Sequence, residues 1–151
     1  MTDYLAYWKN YKDDADSPAD VSRNWRTKLK WFYTCVETND HLWVVISGGH
    51  DDPSEWQLLQ QICVKTREIE KSRYGKYHII GDKKRSQVFD PKVQPDFALV
   101  LKKLDFASGK KIALEGKRIG QAIQTIRRLS DSDCVLLDDY SKTLNLFEMN
   151  G

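Results

Sequence analysis

Cysteine, histidine and long apolar runs are all scarce in this chain of 151 residues, and each scarcity removes a class of protein. The three cysteines, Cys35, Cys63 and Cys134, stand far apart within apolar stretches. That distribution excludes a disulfide framework and predicts buried free thiols in a reducing compartment. The three histidines, His41, His50 and His78, are dispersed. No Cys/His pair has zinc-ligand spacing, no Ser/His/Asp order can be argued, and no phosphate-binding glycine motif follows a strand. An apolar run of about 18 residues is absent, as is a secretory pattern in residues 1–20. A soluble, cytoplasmic protein with no membrane partner is therefore expected, with neither a metal nor a cofactor.

What is present points to one domain spanning residues 1–151, without repeats or a linker. A chain of this length buries roughly two thirds of its unfolded surface without covalent help. The formal charge is only +2 but is unevenly spread. From Lys71 to Arg128 there are 15 Lys/Arg against 5 Asp/Glu, net +10, and the remainder has 9 against 17, net −8. Clustered cations gain affinity for a polyanion by releasing its counterions, so one side of the molecule suits nucleic acid.

The chain is organised around Asp40 to Lys65. Asp40-His41-Leu42-Trp43-Val44-Val45-Ile46-Ser47 is short, β-branched and nearly all apolar, which predicts a strand buried on both faces, with Ser47 and Gly48 opening onto a cavity. Trp56 to Lys65 reads as its neighbouring strand, although Trp56, Leu59, Ile62 and Cys63 also fall near a helical stripe. Tyr4 to Tyr11 predicts a first strand, and Asp20 the cap of a short helix through Trp25. Leu29 to Val36 is of mixed type. Tyr74 to Gly81 predicts a short strand followed by a basic turn, Asp82 to Ser86, and Phe97 to Phe106 a further strand turning at Ser108-Gly109 towards Lys110 to Glu115. Ile119, Ala122, Ile123, Ile126 and Leu129 mark a helical face, and Ser130-Asp131-Ser132-Asp133 resembles a capping box opening a second helix through Tyr140.

Five tryptophans and seven tyrosines supply more flat π surface than a core of this size needs. Aromatic faces stack on a planar base while a few polar groups read its edge. Trp25, Trp43 and Tyr77 are the candidate walls of such a base pocket, with Ser47 and the Gly48 backbone as edge readers. Lys83, Lys84, Arg85, Lys117, Arg118, Arg127 and Arg128 are the candidate phosphate contacts.

The order of these segments resembles the EVE branch of the PUA-like superfamily, to which YTH and ASCH domains also belong. The likeness runs from Tyr4 to about Tyr140, and its most specific pieces are the Asp40-His41-Leu42 strand entry and the closing Ile119 to Ser130 segment with its Leu-Ser-x-x-Asp continuation. The resemblance implies an α+β fold, a small mixed β-barrel with helices packed outside. It further implies an aromatic pocket that takes a flipped, modified (methylated) base of DNA or RNA, with Trp25 at the position of the family's pocket tryptophan. Such domains serve modification-dependent restriction systems as specificity modules, which implies a nuclease domain or subunit as a further partner.

An enzymatic alternative rests on Pro95-Asp96 followed by Glu115-Gly116-Lys117. A PD-(D/E)xK nuclease holds Mg²⁺ between two carboxylates on adjacent strands while the lysine orients water. In that reading Asp96, Glu115 and Lys117 are catalytic, Trp56 to Arg67 is a helix, and Glu55 or Glu68 completes the metal site.

Overall fold

In the computed structural model, which describes residues 1–8, 23–47, 56–73, 75–90, 94, 96–109, 123 and 125–146, the apolar run after Asp40 lies inside a mixed sheet. The described elements are β1 (Asp3–Tyr7), β2 (Asn24–Thr27), α1 (Lys30–Cys35), β3 (His41–Ser47), β4 (Trp56–Ile69), β5 (Tyr77–Gly81), β6 (Gln87–Val88), α2 (Phe97–Lys103), β7 (Arg127–Arg128) and α3 (Asp131–Ser141). The seven strands run in the order β2-β5-β4-β3-β1-β7, with β6 beside β4. Among the described strands only β1 and β3 pair parallel. Among the described residues no pairing joins β2 to β7, so the architecture is a β-rich α/β fold on an open sheet.

β3 is buried on both faces, as its unbroken apolar run requires. Trp43 and Val45 face a core layer that Phe97, Ala98 and Leu101 of α2 and Leu137 of α3 complete. Leu42, Val44 and Ile46 face a second layer closed by Phe32 and Val36 of α1 and its flank. The segment Trp56 to Lys65, which sequence left between helix and strand, is strand: β4 runs antiparallel to β3 from His41↔Cys63 to Ser47↔Trp56. The helical stripe in it is incidental, because alternate residues go to opposite layers, Trp56 and Leu58 to one, Leu59 to the other. Gln94 extends the pairing, its Oε1 accepting from Leu58 N–H at 2.8 Å and its Nε2 donating to Leu58 O at 3.2 Å.

Three expectations are corrected. Phe97 to Phe106 is not a strand; it opens with α2, whose buried Phe97, Ala98 and Leu101 recur at helical spacing. Arg127 and Arg128, expected at the end of a helix, form β7, because β1 pairs its Tyr4 and Leu5 with them. Trp25 lies on β2, not on a capped helix, since β5 pairs with Asn24 to Thr27 along their whole length. One expectation holds and one open segment is assigned. The capping box opens α3, with Ser130 Oγ accepting from Asp133 N–H at 3.2 Å and Asp133 Oδ2 accepting from Ser130 N–H at 3.0 Å. Leu29 to Val36 resolves into α1, whose last carbonyls receive the Arg67 guanidinium from β4.

The thiols are free, but only Cys63 is buried; Cys35 is exposed at the end of α1, where only Phe32 of that helix turns inward, and Cys134 is half-buried. Cys134 contacts Asp3, which accepts from Trp43 Nε1 at 2.9 Å and meets His41 Nδ1 at 3.3 Å. Burial pushes the Cys134 thiol up from the ordinary 9.0 to about 12, and the neighbouring Asp3 carboxylate adds to the effect. The folded state therefore keeps a proton that the unfolded chain releases above about pH 9, so this contribution to stability is present below that pH and lost as pH rises towards 12. We expect the urea midpoint to fall between pH 8 and 10, equivalent to roughly 1 kcal/mol from this group. Cys134→Ser should flatten the fall, and an unchanged slope would refute the assignment.

Candidate nucleic-acid interface

The basic turn and the end of β5 enclose a cleft. Its volume is about 460 Å³, and its lining is Asn24, Lys65, Ile80, Gly81, Asp82, Lys83 and Lys84. Three features of the chain build it. First, β4 pairs Val64 with Gly81 and Thr66 with Ile80, so Lys65 between them is the extra residue of a β-bulge. A bulge re-aims its side chain, and here Lys65 joins the lining. Second, Asn24 sits opposite Ile80, and its Oδ1 accepts from Gly81 N–H at 3.2 Å. Third, Asp82 Oδ1 accepts from Lys84 N–H at 2.9 Å and Arg85 N–H at 3.2 Å, bending the chain into the turn that carries Lys83 and Lys84. Ser86 ties the turn down, donating its N–H to Asp82 O at 2.9 Å and accepting from Cys63 N–H through Oγ at 2.9 Å.

The electrostatics follow from this arrangement. Three lysines and one aspartate line the cleft, and that carboxylate is engaged by backbone donors. A concave surface with an excess of positive charge attracts anions, which favours an oxyanion such as phosphate.

Aromatic residues occupy the other face of the same ribbon. Pairing of Trp25 with Ile79 and Thr27 with Tyr77 puts Trp25 and Tyr77 on one face, and Asn24, Arg26, His78 and Ile80 on the other. Trp25 is half-buried and meets Trp8 edge to face, centroids 6.5 Å apart at 87°. Tyr77 is 7% exposed, lies over Tyr33 at 4.9 Å, and carries Lys76 Nζ 5.3 Å from its ring centroid. The half-open Trp25 and Trp8 faces thus stand beside the closed Tyr33 and Tyr77 pair.

The other sequence candidates disperse. Trp43 is 1% exposed and packs in the layer under α2 and α3, away from the Trp25 layer. Ser47 ends β3 opposite Trp56, and Gly48 lies outside the described residues. Lys83 and Lys84 line the cleft, while the Arg85 guanidinium donates to Asn39 Oδ1. Arg127 and Arg128 stand on β7, at the opposite end of the strand order from β2. The Arg127 guanidinium lies 3.6 Å over the Phe106 ring, donates to Ser108 Oγ at 3.1 Å, and has its pKa lowered, chiefly by burial. Lys117 and Arg118 lie outside the described residues.

Asn24, Lys65 and Gly81 were not singled out by the sequence reading. Only the glycine ending the Tyr74 to Gly81 segment hinted at a close approach there, and a one-residue bulge at Lys65 leaves no mark in composition. For the nuclease alternative, Asp96 stands at the N-cap of α2 and not on a strand, β4 replaces the required helix, and Glu115 and Lys117 lie outside the described residues. Compared with protein-family models and with curated proteins, the sequence matches none.

Proposed function

We propose that this chain is a nucleic-acid-binding module that reads a modified, methylated base and has no chemistry of its own. The observation that carries the reading is the lysine-lined cleft directly behind Trp25. A phosphate seated among Lys65, Lys83 and Lys84 lies on one side of β2, and the aromatic faces of Trp25 and Trp8 lie on the other. β2 is a terminal strand in the sheet order, so a nucleotide crossing it reaches both. Flipping a base out of a duplex costs a few kcal/mol, and an aromatic stack returns about 1 to 3 per base, so both halves of the site are needed.

The EVE-like, PUA-like barrel belongs to the same proposal. It is supported by β4, which pairs β3 and β6 up to Cys63 and takes up β5 from Val64 onward, the kind of corner by which a sheet curls towards closure. The biological setting we propose is a modification-dependent restriction system, in which a nuclease domain or subunit cuts where this module binds.

Fluorescence anisotropy with plain and base-methylated DNA oligonucleotides tests the reading. Affinity should fall with salt, and Lys83→Ala with Lys84→Ala should reduce the log–log slope by about 2. Trp25→Ala should leave the slope and abolish the preference for the methylated oligonucleotide. Binding indifferent to the two lysines, or a methyl preference that survives loss of Trp25, would sink it.

A further inference from the structure

We infer that the β4–β5 hairpin carries a second site, for one divalent transition-metal cation of the zinc class, built from Glu68, Glu70 and His78. The register brings the three together. Glu68 pairs directly with His78, Glu70 lies two residues on along the same face, and Glu70 N–H donates to Lys76 O at 2.8 Å to hold the hairpin in line. His78 Nδ1 and Glu68 Oε1 are 3.0 Å apart, and one ligand atom from each of the three residues lies within 4.8 Å of the others.

Those distances suit a metal. Two ligands of a tetrahedral zinc ion, each bonded at about 2.0 Å, stand about 3.3 Å apart. The His78 and Glu68 atoms, 3.0 Å apart, already stand close to such an edge. His78 is only 9% exposed, so its ring is held by packing, while both glutamates are exposed and leave the outer side open to water as a fourth ligand.

Glu70 has a competing partner, since its Oε1 accepts from Arg26 Nη2 at 3.0 Å. An exposed pair of this kind is worth about 0 to 1 kcal/mol. Arg26 also donates through Nη1 to Glu70 O at 3.3 Å, so the arginine keeps a hold when the carboxylate turns to the cation.

The donor set narrows the metal. One imidazole nitrogen and two carboxylate oxygens suit Zn²⁺ better than Mg²⁺ or Ca²⁺, which favour all-oxygen sites, and the absence of thiolate argues against Cu(I). His78 stands ten residues from Glu68 and eight from Glu70, across the hairpin from the end of β4, which is why spacing rules for zinc motifs did not find them. The site is independent of the nucleic-acid reading, because none of its three ligands lines the cleft.

Isothermal titration of the full chain with Zn²⁺, after blocking exposed Cys35 with iodoacetamide, should saturate at one equivalent. Zn²⁺ should also raise the melting temperature. His78→Ala and Glu68→Gln should each weaken binding about 100-fold and Glu70→Gln about tenfold, by extension from the 10- to 100-fold that outer-shell partners are worth. His41→Ala and His50→Ala should change nothing, and excess Mg²⁺ should not displace the zinc. Glu68 is exposed, so Glu68→Gln decides the matter should His78→Ala disturb the fold. No stoichiometric uptake, uptake that survives Glu68→Gln, or uptake lost with His50→Ala would overturn the inference.

Discussion

Asp133→Ala should destabilise the fold by about 4 kcal/mol, and Asp133→Asn by about half as much. Asp133 is 0% exposed, and its carboxylate accepts three backbone N–H groups: Asp105 on Oδ1 at 2.8 Å, Phe106 on Oδ2 at 2.8 Å and Ser130 on Oδ2 at 3.0 Å. A buried donor left without its acceptor costs about 1 to 3 kcal/mol, and alanine strands all three. Asparagine can keep an oxygen for Phe106 and Ser130 but turns its amide nitrogen on Asp105 N–H. The bonds also hold Phe106 at φ 56°, an unfavourable conformation for a side chain of that size, against which the Arg127 guanidinium stacks. Urea midpoints at constant m-value would measure both substitutions. A shift below about 1 kcal/mol for alanine would show that water replaces the carboxylate at little cost.

This aspartate also illustrates what a sequence can and cannot disclose. The Ser130 to Asp133 capping box was legible because both partners are three residues apart, but the reach of the same carboxylate to Asp105 and Phe106 was not, since it depends on how α2 and α3 are placed. The central strand was legible for a similar reason: a β-branched apolar run between turns has few alternatives, and β3 runs from His41 to Ser47. Phe97 to Phe106 misled because a short apolar run carries little information on period. Its decisive signal was the recurrence of Phe97, Ala98, Leu101 and Leu104, all buried. Arg127 and Arg128 obey a tertiary demand, the unpaired edge of β1, over the helical pattern that precedes them. At the candidate site, the basic turn with Lys83 and Lys84 was visible as composition, whereas the role of Lys65 arises from a bulge in the pairing of β4 with β5. Trp43 shows the opposite error. Its indole N–H finds Asp3 across the sheet and so belongs wholly to the core.

Gly81→Ala should abolish the cleft and cost about 3 kcal/mol of stability, the upper range for forcing a methyl into a packed interior. The reason is local and severe. A Cβ built on Gly81 falls 1.9 Å from Arg23 O and 2.8 Å from Ile62 Cγ2. The oxygen belongs to the backbone just before β2, so relief requires β2 to move away from β5 at the point where Asn24 Oδ1 accepts from Gly81 N–H. That movement separates Asn24 from Ile80 and Gly81, three of the residues that line the cleft. Gly109 provides the comparison, having φ +76° and no described atom within 4 Å of a built Cβ, so Gly109→Ala should cost only the backbone preference, about 1 kcal/mol. If the cleft seats a phosphate, oligonucleotide affinity should fall with Gly81→Ala at a temperature where the variant remains folded by circular dichroism, and stay at the wild-type value with Gly109→Ala. Because the closest contact is with backbone and not with a flexible side chain, neither serine nor alanine fits at position 81 without that movement of β2. A Gly81→Ala protein with wild-type stability and affinity would mean that β2 and β5 do not approach as closely as their pairing requires.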